Sequence, residues 1–426
     1  MQPNRTGPTG RTIAVPARRL IAGLALFSAL ALAACNSTSA RWQPAGSKPP
    51  APKGDTVAAT VTGPANGATD VPASTEITFT ADHATSTKVQ VSNAGTGATV
   101  DGSMRDDGSS WVPQQALKYG TKYNVKVTAT GKDGKTADGT SSFTTMAQPT
   151  STSHMISNVG DNLQYGVGAP VVLTFTKPIP EAARAAVQKR FWVQTTPAQE
   201  GAWNWFSATE VHYRPKDFWK TGTKISLRLL FRGVPLGNGM YGDDDLTVDA
   251  SIVDKDLRIS VDDKTKTLTV TQDGQVVKTM PASLGKPSTP SSSGNMVIMT
   301  RAASEVFDSA TVGIMPGNPD YYKETINFPL RLTWGGQYIH SAPWSVGQQG
   351  SDDVSHGCTN IAPDNAQWLY NQVHIGDPVT VKNTGAPLKW GDGWTDWNES
   401  FDDYVKGSAI PYAPTAAAPS ATASGN

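Results

Sequence analysis

Through residues 76–229 the chain falls repeatedly into short runs of apolar and β-branched residues spaced at a period of two, which points to β-structure. Residues 76–80 (Glu-Ile-Thr-Phe-Thr) and 123–127 (Tyr-Asn-Val-Lys-Val) alternate as half-buried strands do. Residues 171–175 (Val-Val-Leu-Thr-Phe) and 225–229 (Ile-Ser-Leu-Arg-Leu) also read as strands. A Gly-Pro-Ala-Asn-Gly cluster at 63–67 supplies a turn before the first of them. A faint repeat overlies this pattern. Trp111-Val112-Pro113 leads to Gly120-Thr121-Lys122-Tyr123, and Tyr213-Arg214-Pro215 leads to Gly222-Thr223-Lys224-Ile225. The two Gly-Thr-Lys triplets start about a hundred residues apart, the length of an immunoglobulin-like sandwich. Two tandem sandwiches are expected, over 55–148 and 149–252, with a short helix at 181–187 in the second.

A third region is expected over 253–382. Residues 257–261 and 266–270 read as strands, and Asp273-Gly274 turns the second into another at 275–280. A polar loop follows to Gly294, then a strand at 295–300. From 301 to 332 no period survives, and so long an irregular stretch is often a functional lid. Residues 363–373 read as a helix, with Pro363 suited to its first position and Ala366, Leu369, Tyr370 and Val373 on one stripe. A last strand lies at 378–381. Trp390, Trp394, Trp397, Phe401 and Tyr404 in an extension at 383–410 are expected to pack on this third domain, with a sugar-stacking role as the alternative. The Ala/Pro/Ser/Thr-rich stretch 411–426 reads as disordered.

With 36 basic against 36 acidic residues, bulk electrostatics favours no nucleic-acid partner. Arg5, Arg11, Arg18 and Arg19 precede an apolar run at 20–34 that is too short for a confident membrane span. The run ends Leu32-Ala33-Ala34-Cys35, which resembles a bacterial lipoprotein signal box. Removal of 1–34 and lipidation of Cys35 would tether the chain to the outer face of the membrane through a flexible segment, 35–54. An ordinary secretory signal with an incidental cysteine is the alternative.

The chemistry concentrates at 340–360. His340-Ser341-Ala342-Pro343-Trp344 opens the stretch and Ser355-His356-Gly357-Cys358-Thr359-Asn360 closes it. Cys358 is the one cysteine outside the N-terminal segment, and a lone thiol near histidines suggests a nucleophile and its base. His356 shares a face with Cys358 if the backbone is extended, so spacing does not choose between His340 and His356 as base. The amides of Gly357 and Cys358 are natural donors to an oxyanion. A buried structural cysteine and a zinc site of His340, His356 and Cys358 are the rival readings, although no fourth ligand stands at the usual spacing. Asp352 and Asp353 could steer a cationic amine or be ordinary exposed carboxylates, and Asp243-Asp244-Asp245 lacks the rest of a calcium loop and reads as a surface turn.

The histidine, the spacer and the Ser-His-Gly-Cys-x-Asn run together resemble the signature of the L,D-transpeptidases, and the flanking resemblance covers about 256–382. The layout resembles the multidomain actinobacterial members. The resemblance implies a mainly β protein: two immunoglobulin-like sandwiches, then a β-rich catalytic domain with a short helix after the cysteine. It implies Cys358 as nucleophile, His340 as base and the Ser341 carbonyl orienting the imidazole. It also implies Tyr322 at the oxyanion site (Tyr321 being adjacent), Trp344 walling the cleft, Asn360 contacting substrate or bracing the loop, and His356 in a supporting role. The implied reaction cross-links peptidoglycan stems between third-position diaminopimelate residues through a Cys358 thioester, with no metal or organic cofactor and with carbapenems as inhibitors. An L,D-carboxypeptidase, attachment of a stem to a protein acceptor, and a non-catalytic peptidoglycan-binding lipoprotein are the alternatives.

Overall fold

The computed structural model describes residues 56–413 except Ile314 and Asp320. The expected signal segment, Cys35, the tether and the tail beyond 413 lie outside the described residues.

The first sandwich is built on a sheet ordered Ala68–Val71, Thr136–Thr145, Lys122–Gly131, Ala84–Asn93 and Thr99–Val100. The alternation read at 123–127 buries Tyr123, Val125 and Val127 against Ile77, Val91, Trp111 and Phe143. The strand expected at 76–80 starts later, at Thr78–Asp82, because Ile77 instead bridges to Trp111.

The second sandwich faces two four-stranded sheets. Val171–Phe175 lies in one and Lys224–Leu229 in the other. The helix Glu181–Gln188 feeds Ala183 and Val187, four residues apart on one face, into the same core. Glu76 ties the sandwiches together through Arg105, Arg190 and Ser110. Burial opposes its ionisation, but these partners more than offset that and hold its carboxyl at about 2. Asp245 is no part of a free surface turn. Its oxygens accept from the Ala116 amide at 3.1 Å and the Arg232 amide at 2.8 Å, because Ala116 and Arg232 sit in loops of the first and second sandwich where no strand partner is at hand.

The third region carries a six-stranded sheet ordered Gln275–Pro281, Thr267–Gln272, Leu257–Asp262, Pro378–Lys382, Ser292–Val297 and Ala386–Pro387. Asp273 and Gly274 both have positive φ, 51° and 80°, as the tight hairpin requires. The strand expected at 295–300 is two strands. Ser292–Val297 ends in the first sheet, the chain crosses through buried Ile298 and Met299, and Thr300–Arg301 enters a second sheet. That sheet is ordered Thr300–Arg301, Leu330–Arg331, Tyr338–Ser341 and Thr359–Ile361. The helix Pro363–Gln372 packs Ala366 and Leu369 beneath it, with buried Val373 as the C-cap.

The stretch read as irregular contains a β-hairpin, Ser304–Asp308 paired antiparallel with Lys323–Asn327. Asp308 caps a 3-10 turn, Ser309–Val312, by accepting from the Ala310 amide at 3.0 Å. The hairpin hides in the sequence because its polarity is inverted. Val306 points outward, 56% exposed, while Glu305 and Glu324 share the inward face with Phe307 and Ile326.

The aromatic extension reaches further than the third region. Trp394 is buried among Val172, Val297 and Met299, Trp390 stacks on Phe206 at 4.5 Å, and the Trp397 indole donates to the Gly168 carbonyl at 2.7 Å. It therefore straps this region to the second sandwich, where Asp396 meets His212 at 3.0 Å. Tyr412, in the stretch read as disordered, lies edge-on to Phe401 at 5.4 Å.

Candidate active site

The parallel pairing of Tyr338–Ser341 with Thr359–Ile361 puts His340 opposite Asn360 and Cys358 one residue before its strand. A bundle of sequence-distant side chains thus converges on one cavity of about 260 Å³. Its walls include Cys358, His340, His356, Tyr322, Trp344 and Asn360, all singled out in the sequence. Phe307, Glu324, Ile326, Val354 and Ser355 complete the lining and were not. The lid residues among them were missed for the inverted polarity described above. Ser355 was visible in the motif but carried no distinctive signal.

Cys358 is a free thiol, 7% exposed, whose sulfur lies 3.6 Å from the Gly336 carbonyl. Burial pushes the thiol up to about 12, although the Tyr338 amide favours the thiolate. His340 is also buried, and burial pushes its imidazole down to about 4 against the pull of the Ser341 carbonyl. Its Nδ1 lies 2.9 Å from that carbonyl oxygen. A carbonyl only accepts, so Nδ1 bears the hydrogen and Nε2 keeps its lone pair. His340 is fixed further by an edge contact with Phe307 at 5.6 Å, and Trp344, 57% exposed, stands 6.0 Å away at the rim.

His356 is exposed and its surroundings differ. The Lys286 ammonium lies 3.3 Å from its Nε2. An ammonium has no lone pair, so Nε2 is the acceptor. Tyr322 lies 5.5 Å from the His356 ring, and its phenol is raised by burial, then by the nearby Cys358 and Glu324.

The turn at 355–358 is held by side chains. Ser355 Oγ donates to the Cys358 carbonyl at 2.6 Å and accepts from the Gly357 amide at 3.1 Å, while Ser291 Oγ donates to the Gly357 carbonyl at 2.8 Å. Gly357 has φ +121°, a conformation that side-chain-bearing residues rarely adopt. Asn360 donates to Ser345 Oγ at 3.1 Å, and its buried Oδ1 has no partner among the described residues. Asp352 and Asp353 do not line the cavity. Asp353 is ion-paired with Lys266 and accepts from the Leu284 amide at 3.0 Å, so it is a fold contact and not a solvated charge.

Tandem sandwiches carrying a β-rich domain, with a cavity that gathers a buried thiol and two imidazoles, fit a thiol-dependent acyl-transfer protein. A family model described as the L,D-transpeptidase catalytic domain matches residues 256–381, and one described as a bacterial Ig domain matches 68–235. L,D-transpeptidase 2 of Mycobacterium tuberculosis is 38% identical over 74% of this chain and 76% of its own length. L,D-transpeptidase 5 of the same species is 30% identical over 84% of this chain and 78% of its own. A solved L,D-transpeptidase from Mycobacterium smegmatis is 33% identical, covering 54% of this chain and 99% of that one with a TM-score of 0.44. The chain belongs to the L,D-transpeptidase family, and it is an enzyme of that activity.

Proposed function

We propose that Cys358 and His340 carry out peptidoglycan cross-linking between third-position stem residues, and the observation that carries this is the difference between the two histidines. His340 is held by Ser341 with its Nε2 lone pair left for the cavity. The Nε2 lone pair of His356 is taken by Lys286, which favours His340 as the base. In this reading Sγ attacks the carbonyl between the third and fourth stem residues of a tetrapeptide, and the thiol proton moves to His340 Nε2. The C–N bond then breaks, and that proton leaves on the amine of the terminal D-alanine. An amine of a second stem attacks the thioester, gives a proton to His340, and Sγ recovers it as the C–S bond breaks. At neutral pH the thiol and imidazole rest uncharged, because burial opposes both ions, so proton transfer accompanies attack.

The Gly357 amide is engaged by Ser355, which leaves the Cys358 amide and the Tyr322 hydroxyl as the donors for the oxyanion. Asn360 Oδ1, buried and unpartnered, suits a substrate amide N–H. A carbapenem carbonyl would acylate the same sulfur; imipenem is the ligand named with a solved L,D-transpeptidase that is 36% identical over 53% of this chain and 97% of its own length. Export, cleavage after Ala34 and lipidation of Cys35 would hold the enzyme on the outer membrane face, within reach of the wall.

The test is mass spectrometry of the soluble chain, wild type, Cys358→Ala and His340→Gln, with disaccharide-tetrapeptide and separately with a carbapenem. A dimer lacking one alanine and a drug adduct on wild type alone are expected. Tripeptide without dimer would replace the transpeptidase with a carboxypeptidase. His340→Gln acylating at the wild-type rate would refute its assignment as base.

A further inference from the structure

Among the described residues that line the cavity, Glu324 carries the one carboxylate, and it lies outside the sequence motif. It stands on the lid strand Lys323–Asn327, directly across from Phe307, whose ring touches His340 and lies 4.3 Å from Tyr338. Strand alternation puts Tyr322, Glu324 and Ile326 on one face, and all three line the cavity. The neighbouring Lys323 turns the other way and pairs with Asp308 at 3.0 Å. Among the described residues the Glu324 side chain has no ion-pair or hydrogen-bond partner. Burial first, then the proximity of Cys358 and of Glu324, raises the Tyr322 phenol, which puts the three groups within electrostatic reach of one another.

The cavity is therefore polarised. The motif wall has the Lys286 ammonium against His356, and the lid wall has a carboxylate. The leaving D-alanine carries a carboxylate, which Glu324 repels. The second substrate presents a primary amine, cationic in water, which Glu324 attracts. The acidic residues that the sequence offers for this task, Asp352 and Asp353, lie outside the cavity. Asp352 accepts from the Ser351 hydroxyl at 2.7 Å, and Asp353 is bound to Lys266.

Resting on the reading of Cys358 as the acylated residue, we propose that Glu324 is a specificity-determining residue that receives the acceptor as a primary ammonium at the lid wall. The ammonium donates to the carboxylate and is held beside the thioester. One proton passes to solvent, and the neutral amine attacks the thioester carbonyl. A second proton moves to His340 as the C–N bond forms and on to Sγ as the C–S bond breaks. Glu324 raises the local concentration of amine over water and so favours cross-linking over hydrolysis.

The experiment uses the soluble chain with Glu324→Gln and Glu324→Asp. The Cys358 acyl-enzyme is formed with disaccharide-tetrapeptide, and its partition between dimer and hydrolysed tripeptide is followed as a stem-tripeptide acceptor is titrated. In Glu324→Gln the half-saturating acceptor concentration should rise by about two- to fivefold, the scale of an exposed ion pair. Acylation by tetrapeptide or carbapenem should not slow. Added salt should weaken acceptor binding in wild type and scarcely affect the Gln variant, and Glu324→Asp should restore part of the loss. An unchanged acceptor dependence in Glu324→Gln overturns the proposal. So does slowed acylation in the same proportion, which would assign Glu324 to the donor or to the fold. Wild type that never acylates would instead refute the Cys358 reading on which the proposal rests.

Discussion

The strap over the second sandwich makes a testable claim about charge. His212 is fully buried, with Nδ1 3.0 Å from both oxygens of Asp396 and Nε2 2.7 Å from Glu210. Tyr404 donates to Asp396 at 2.9 Å, and Phe206 stacks on the imidazole at 3.8 Å. Burial alone would push the imidazole down, but Asp396 and then Glu210 more than offset it and raise it from 6.5 to about 9. A group raised on folding stabilises fully below its unfolded value and ceases to do so above its folded one. The contribution should therefore be complete below pH 6.5 and disappear as pH rises to about 9. A shift of this size corresponds to about 3 kcal/mol. Asp377, raised by burial to about 7 from 3.8, acts over a lower window and leaves the alkaline range to His212. Asp396→Asn removes the partner charge and should cost about 3–5 kcal/mol near neutrality. The assay is the rate of proteolysis within 383–410 from pH 6.5 to 9.5, which reports opening of the strap. Wild type should open more readily as pH rises, and the Asn variant should be labile throughout with little slope. Parallel profiles would refute the assignment of the titration to His212.

Three further outcomes follow from the site. Because burial keeps His340 neutral, acylation by a carbapenem should hold its rate down to acid pH and fall only as pH drops towards about 4; a midpoint near 6.5 would count against this. Gly357→Ala forces a side chain into φ +121° and should destabilise the chain by about 1–3 kcal/mol while slowing acylation; an unaltered melting temperature would refute the strain. Tyr322→Phe should slow acylation by roughly 100-fold without lowering the melting temperature, and a wild-type acylation rate would remove its hydroxyl from the oxyanion site.

What could be read from the sequence and what could not divide along physical lines. Regular alternation gave strands such as Lys224–Leu229 within a residue, because one buried face imposes a period of two. Helix Pro363–Gln372 was legible from Pro363 and its apolar stripe. The lid hairpin was not, because its inner face carries Glu305 and Glu324 where a core-facing strand would be apolar. The motif residues Cys358, His340, Trp344, His356 and Asn360 and the lid residue Tyr322 line one cavity, yet spacing could not choose between the two histidines. That depended on Lys286, seventy residues from His356 in the chain, a contact no local pattern encodes. The strap's second docking face was hidden for a similar reason. Aromatic content announces burial but not against what, and the partners Phe206 and His212 lie in another domain.

The resting site joins these threads. A thiol raised to about 12 and an imidazole lowered to about 4 in the same cavity disfavour the thiolate, which makes resting Cys358 a poor target for indiscriminate oxidation and alkylation. Reactivity must then come from the substrate, which supplies the amide hydrogen bonds and excludes water as it fills the cavity. The lid is suited to that task. Phe307 and Ile326 present apolar surface towards the thiol, and Tyr322 presents a hydroxyl from the same hairpin. A preformed ion pair would react with any small electrophile that entered. A neutral pair reacts when a carbonyl is seated where the oxyanion donors can receive its charge, which places selectivity in the acylation step and leaves the choice of amine over water to the lid.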